Sequence, residues 1–200
     1  MKKDVFQEIV KRLEKANKDA PVYKAQDYLD SKEKKFVFVF LSSRTKDEVT
    51  LEATRRLFQK YHSLEEIRKV PEEELAELIK PVAFYKQKAK NLKKIHHIPE
   101  NLEELLKLPG VGIKIAKVYL ASLGQPYVGV DTHVHRILNR IGIVNTRTPE
   151  ETDKILEEMI PPSLKPKINL LLVAHGQKTC LPRNPKCEQC PLQEICKKKI

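Results

Sequence analysis

Four cysteines crowd one end of this chain as Cys180-x6-Cys187-x2-Cys190-x5-Cys196, and clustering of that kind marks metal ligation. Two disulfides inside so short a loop would do little for a chain of 200 residues. Four thiolates suit tetrahedral zinc, but zinc sites usually pair two short Cys-x2-Cys knuckles and this loop holds one. A compact four-cysteine loop also suits a cubane 4Fe-4S cluster. The spacing favours iron–sulfur, with zinc and disulfides as the alternatives. Lys178, Arg183 and Lys186 are interleaved with the cysteines, so the loop can also present positive charge to phosphates.

A second constellation lies upstream. Leu108-Pro109-Gly110-Val111-Gly112 joins an apolar segment around Leu102, Leu105 and Leu106 to another built on Ile115, Val118, Tyr119 and Leu120. This pattern predicts a helix-hairpin-helix, whose glycines allow a tight turn and bring backbone N–H groups close to a phosphate. Such a hairpin grips a nucleic-acid backbone without reading sequence. Lys114 stands in the first turn of the second helix, where the positive end of the helix dipole favours the free amine that a nucleophile needs. In isolation a lysine here reads as a phosphate contact. Asp131, in Val130-Asp131-Thr132-His133, is placed to cap the next helix. Facing Lys114 across a cleft, its carboxylate could instead stabilise developing positive charge and assist proton transfer. His133 and His135 are read as packing or phosphate-facing residues.

The elements that must position these groups read as helices almost throughout. Val5, Phe6, Ile9, Val10 and Leu13 fall on one face of an N-terminal helix, and Val49, Ala53 and Leu57 repeat in the same manner. Ser63 with Glu66, and Thr148-Pro149-Glu150-Glu151, are helix-start signatures, and prolines punctuate the segments between. Phe36-Val37-Phe38-Val39-Phe40-Leu41 has the composition of a strand. With no second run to pair with it, it is expected as a helix apolar all round and buried. The expected fold class is all-α.

Lys and Arg number 38 against 27 Asp and Glu, giving a formal charge of +11, which points to a polyanionic partner. Abundant Lys and Glu with no Trp also fit a heat-adapted surface of ion pairs. Acidic residues gather between Glu65 and Glu77, while Lys86, Lys88, Lys90, Lys93 and Lys94 form a basic stretch, so one face is expected to meet the polyanion. No apolar run approaches membrane-spanning length and no signal-peptide pattern opens the chain. A soluble cytoplasmic protein without membrane association is expected.

Taken together, the Leu108-to-Lys114 hairpin, the Val130-Asp131-Thr132-His133 segment and the cysteine loop resemble the endonuclease III family of DNA glycosylases. Leu41-Ser42-Ser43-Arg44-Thr45-Lys46-Asp47 and Phe84-Tyr85-Lys86-Gln87-Lys88-Ala89 resemble that family's two loops that enter the DNA helix. The resemblance implies two all-α lobes with a DNA-binding cleft between them. One is a six-helix lobe carrying the hairpin, over 20–130; the other is a cluster lobe, 131–200, completed by the N-terminal helix at 1–19. It implies base-excision repair of oxidised pyrimidines, with Lys114 forming a Schiff base at C1′ of a flipped nucleotide, Asp131 supporting base departure, and β-elimination cutting the strand. Phe84 would be the apolar wedge and Arg44 the side chain that fills the vacated gap. Lys88, Leu108, Gly110, Val111 and Gly112 would contribute further DNA contacts. Cys180, Cys187, Cys190 and Cys196 would hold the 4Fe-4S cluster. The implied partner is double-stranded DNA with a damaged pyrimidine or an abasic site, bound by a monomer in the nucleoid.

Three positions depart from the family pattern: Ile113 replaces the usual Arg before the lysine, Arg44 stands where Gln is common, and Ala83 where Gly is common. Adenine- and thymine-mismatch glycosylases share the cluster but lack this lysine. A non-catalytic iron–sulfur DNA-binding protein, with Lys114 only holding phosphate, is the reading from another class.

Overall fold

The computed structural model describes residues 2–198, with side chains from Asp4 onward. Met1 and residues 199–200, at the ends of the expected cluster lobe, lie outside the described residues. In order, the helices are α1 (Lys2–Leu13), α2 (Pro21–Tyr28), α3 (Lys32–Leu41), α4 (Asp47–Lys60), α5 (Leu64–Lys69), α6 (Glu72–Ile79), α7 (Tyr85–Leu92), α8 (Leu102–Leu105), α9 (Ile113–Ser122), α10 (Thr132–Ile141), α11 (Pro149–Met159) and α12 (Lys165–Lys178), followed by a 3-10 turn at Cys187–Gln189. The described residues contain no strand, and the fold is all-α as the periodicity predicts. The chain divides into two compact units, Ala25–Tyr119 and Met1–Lys24 with Leu120–Ile200.

In the unit Ala25–Tyr119, α3 is the central helix. Ser31 caps it by accepting from the Lys34 N–H, and every residue from Phe36 to Leu41 is buried. Their β-forming composition yields to context, because a helix satisfies its own backbone hydrogen bonds and a lone buried strand cannot. Phe36 stacks on Phe40 with ring centroids 5.9 Å apart and meets Tyr119 edge-on at 5.4 Å. α4 packs on α3 and α6, and α7 packs on α6 and α3. The buried face of α4 carries Thr50 and Thr54 as well as Leu51, Ala53 and Leu57. Each threonine hydroxyl returns a hydrogen bond to the carbonyl four residues back, at 3.2 and 2.8 Å. Ser63 caps α5 by accepting from the Glu66 N–H, while the Glu66 carboxylate takes the N–H of His62, one residue upstream of the cap. α11 of the other unit starts in the same way on Thr148 and Glu151.

The second unit buries Phe6, Ile9, Val10 and Leu13 of α1 against Val134, Ile137, Leu138 and Ile141 of α10, Leu156 of α11 and Leu171 and Leu172 of α12. Each such side chain contributes roughly 1.5–3 kcal/mol on burial. α10 and α12 approach closely at Gly176, where an added Cβ would lie 2.4 Å from His133 Nδ1 and 2.9 Å from Arg136 Nη2. That contact matters because α10 carries both Asp131 at its start and two arginines that hold the cysteine loop.

Candidate active site and metal centre

The hairpin turn is closed by the Val111 N–H bonding to the Leu108 carbonyl at 3.2 Å. Gly110 sits at φ +79, and a Cβ there would meet Asn91 Nδ2 at 2.6 Å and the Phe40 ring at 3.3 Å. Gly110→Ala therefore combines left-handed strain with a clash against the Asn91 side chain of α7 and a tight contact with Phe40 of the central helix. A loss of about 2 kcal/mol or more is expected, visible as a lowered denaturation midpoint with an unchanged m-value. Gly112 accepts from the Ala116 N–H at 3.0 Å and opens α9, whose first N–H groups have no intrahelical acceptor. Lys114, half-buried, is the second residue of that helix. Val111 departs from expectation, since its side chain is buried and its N–H is spent in the turn. The N–H groups at Ile113, Lys114 and Ile115 are better placed for a phosphate. Leu106 and Ile113 leave apolar surface exposed on either side of the turn.

The two loops that resemble DNA-entering segments are tied together within the same unit. The Ala83 N–H donates to Thr45 Oγ1 at 3.0 Å, and the Arg44 guanidinium lies over the Phe84 ring, 5.6 Å from its centroid. Both residues take left-handed backbone, φ 54 at Arg44 and φ 57 at Phe84, an uncommon state for such side chains and one that collects at functional sites. Phe84 is 61% exposed. A lone aromatic ring held out into solvent on strained backbone is not a packing residue. Ala83 lies outside the left-handed region, so the absence of glycine there costs the loop nothing.

Lys88 corrects the expectation of a direct DNA contact. It is buried, and its ammonium donates to the carbonyls of Leu41 at 2.7 Å and Ser43 at 2.9 Å, bracing the loop that bears Arg44. Lys93 is similarly spent on the carbonyls of Arg68 and Val70. Two lysines of the basic stretch thus close helix ends instead of facing solvent. Burial, and then the charge of Lys114, push Lys88 down to about 8. An unfolded lysine titrates near 10.4, so between about pH 8 and 10.4 the unfolded chain binds the extra proton. The cost of burying the cation is complete below pH 8, and stability from this group rises as pH climbs through that window. In ¹³Cε-labelled protein one lysine should titrate near pH 8 and move upward in Lys114→Ala. A Lys88 resonance indifferent to Lys114 would show the two charges to be uncoupled. Lys88→Met, which leaves two carbonyls without their donor, is expected to cost about 1–3 kcal/mol.

In the other unit, Asp131 is the N-cap of α10, its Oδ1 accepting from the Val134 N–H at 2.9 Å. His133 packs against Gly176 and His135 Nδ1 bonds Thr152 Oγ1 at 2.7 Å. One turn beyond, Arg136 and Arg140 point at the cysteine loop. Arg136 donates to the Cys180 carbonyl at 2.9 Å. Arg140 reaches the Leu181 and Pro182 carbonyls at 2.7 and 2.9 Å, and Cys180 Sγ at 3.5 Å. From α1, Arg12 donates to the Pro191 carbonyl at 3.0 Å and to Glu194 at 2.7 Å. None of these arginines was singled out from sequence; the signal available was the i, i+4 spacing of Arg136 and Arg140 on an amphipathic helix that Asp131 starts.

Cys180, Cys187, Cys190 and Cys196 are all free thiols around one cavity, which is also lined by Ile137, Arg140, Ile141, His175 and Leu192. Four thiols set around a shared space form a donor set that an iron–sulfur cluster can take. Burial, opposed by the N–H of Leu192 and reinforced by Cys180, Cys196 and Cys187, pushes the Cys190 thiol up. A thiolate at Cys190 therefore calls for a positive group beside it, and the four-cysteine donor set fits an iron–sulfur cluster.

Residues 37–162 match the HhH-GPD superfamily of base excision DNA repair proteins, and residues 180–196 match the iron-sulfur binding domain of endonuclease III. Endonuclease III of Thermotoga maritima is 40% identical over 206 residues, spanning 98% of this chain and 92% of its own. Endonuclease III-like protein 1 of Gallus gallus is 43% identical over 171 residues, spanning 79% of this chain and 61% of its own. A non-covalent endonuclease III–DNA complex aligns with a TM-score of 0.75 at 32% identity over 82% of each chain. A thermostable thymine-DNA glycosylase, 24% identical with a TM-score of 0.80 over 98% of this chain and 95% of that one, shares the fold.

Proposed function

Since this chain belongs to the endonuclease III family of the HhH-GPD base-excision repair superfamily, we propose that it removes oxidised pyrimidines from duplex DNA and cuts the strand at the abasic site. It is a bifunctional DNA glycosylase and AP lyase with a 4Fe-4S cluster. The observation that carries the mechanism is the amine of Lys114 at the open N-terminal end of α9, beside backbone N–H groups that a phosphate can take.

In this reading the hairpin and the net charge of +11 hold the duplex by its phosphates, so binding is salt-sensitive and blind to sequence. Phe84 wedges into the stack, Arg44 occupies the gap left by the flipped nucleotide, and the damaged base is exposed to attack. The Lys114 amine attacks C1′; the C1′–N bond breaks and the base departs with its electron pair, Asp131 stabilising the positive charge that develops on the sugar. The nitrogen gives up one proton, the C1′–O4′ bond opens with O4′ taking a proton, and the lysine nitrogen and C1′ are then joined as a protonated Schiff base on the ring-opened sugar. Loss of a 2′ proton to a base sends electrons toward the iminium, and the phosphate on the 3′ side leaves. The bound cluster supplies a rigid cross-link to the C-terminal loop. The functional lobes are 20–130, and 131–200 with 1–19. The partner is double-stranded DNA bearing a damaged pyrimidine or abasic site, met by a monomer in the nucleoid. No described helix is long and apolar enough to cross a membrane.

Borohydride reduction during reaction tests this directly, using duplexes that carry thymine glycol, an abasic site or neither. A covalent protein–DNA adduct and a nicked strand are expected on the first two and on neither count for the third. Binding without adduct or nick would leave Lys114 as a phosphate contact and the reading would fall.

A further inference from the structure

His175 lies in the last turn of α12 and is 1% exposed, so its ring must find its partners within the protein. Nε2 stands 3.6 Å from Cys190 Sγ, and Nδ1 stands 3.3 Å from Asn17 Nδ2. The Asn17 amide is oriented from its other end, where Oδ1 accepts the Thr179 hydroxyl at 2.7 Å. Its N–H therefore points at the ring, and Nδ1 must accept. A neutral imidazole then carries its one proton on Nε2, aimed at the sulfur. The opposite assignment would set the Nε2 lone pair against a metal-bound thiolate, which can only accept. Thr179, Asn17, His175 and Cys190 are all satisfied by one arrangement. Asn17 serves from left-handed backbone, φ 57, a state that asparagine tolerates better than most side chains.

We propose that His175, held in its Nε2–H tautomer by Asn17, is a positioning residue for the cluster that donates a hydrogen bond to the Cys190 thiolate and so raises the cluster's reduction potential. The direction follows from charge: a donor at the sulfur withdraws electron density and favours the more negative, reduced state. Cys180 and Cys196 receive other donors, the Arg140 guanidinium at 3.5 Å and the Lys198 N–H at 3.4 Å, so the histidine is specific to one corner of the ligand set. The inference rests on Cys190 being a cluster ligand.

The purified holoenzyme is the test material, read by protein-film voltammetry and by the Fe–S(Cys) stretching bands in resonance Raman. His175→Phe keeps a ring of similar size and removes the donor; the midpoint should fall and the stretching bands should rise. His175→Gln places an amide N–H near the former Nε2 position and should return both toward parent values. Asn17→Ala leaves His175 in place but frees its tautomer, and should move both readouts in the same direction as His175→Phe by a smaller amount. A role limited to packing would alter cluster retention or melting temperature and leave potential and Raman bands where they are. Parent-like values in both His175→Phe and Asn17→Ala overturn the proposal, and if His175→Phe fails to load its cluster, Asn17→Ala decides alone. Cys190→Ala, which leaves no donor atom at that position, examines the premise separately: full iron content in that variant would remove Cys190 from the ligand set.

Discussion

Lys114→Ala is expected to lose the borohydride-trapped adduct completely and to slow strand cleavage by on the order of 10⁴-fold or more, because in the proposed mechanism the group removed is the one that forms the covalent bond. DNA affinity should change little, since the hairpin N–H groups and the remaining positive charge stay in place. Asp131→Asn is the informative partner. Asn caps a helix as well as Asp does, so the bond to the Val134 N–H survives while the negative charge disappears. Base excision is expected to fall by about 10²- to 10⁴-fold, with cleavage of a ready-made abasic site less affected. Stability should drop by only about 0.3–1 kcal/mol, the worth of an acidic charge at a helix start. The alternative account of Asp131, a cap and nothing more, predicts unchanged excision in Asp131→Asn. Gel analysis of both products on the two duplexes, with the cluster's visible absorbance checked in each variant, separates these accounts. If the adduct persists in Lys114→Ala, another amine is the nucleophile.

The features legible in the sequence are the local ones. The four cysteines are neighbours along the chain, and the hairpin with Lys114 is one short motif; neither needs tertiary information to be seen. Phe36–Leu41 was legible for a different reason: its composition says strand, yet a strand without a partner leaves its backbone unsatisfied, and the structure buries it as α3. The failures are charges whose partners lie far along the chain. Lys88 reads as a surface cation until Leu41 and Ser43, 47 and 45 residues away, present bare carbonyls to it. Asn17 meets His175 across 158 residues, and Arg12 meets Pro191 across 179. A sequence supplies the donors, but which carbonyl or ring each one reaches is decided by how helix ends stack. Val111 failed on a smaller scale: the motif places its backbone near a phosphate, while the turn that builds the motif consumes its N–H.

Removing the cluster is expected to release residues 180–198 and to loosen α1, while Ala25–Tyr119 keeps its fold. Beyond α12 this stretch has one 3-10 turn, Cys187–Gln189, and its deepest anchor is Leu192. Fixing its backbone costs on the order of 20 kcal/mol at about 1 kcal/mol per residue. The hydrogen bonds from Arg12, Arg136 and Arg140 give about 1 kcal/mol each, and burial of Leu192 with Ile195 roughly 5 kcal/mol more. Together they offset about half. The remainder, roughly 10 kcal/mol, is what a structural metal site supplies on ligation. Without it the loop should open, Arg12 should lose its hold on Pro191 and Glu194, and the α1 core face of Phe6, Ile9 and Leu13 should loosen. Arg140→Lys keeps the charge but cannot fork to the Leu181 and Pro182 carbonyls, so this variant should bind the cluster and lose it faster under oxidant. Limited proteolysis of the iron-depleted protein, followed by mass analysis, should find the first cuts within 180–198 and a melting temperature lower by on the order of 10 °C. A depleted protein that resists cleavage there and melts unchanged would mean that the arginines and Leu192 hold the loop by themselves.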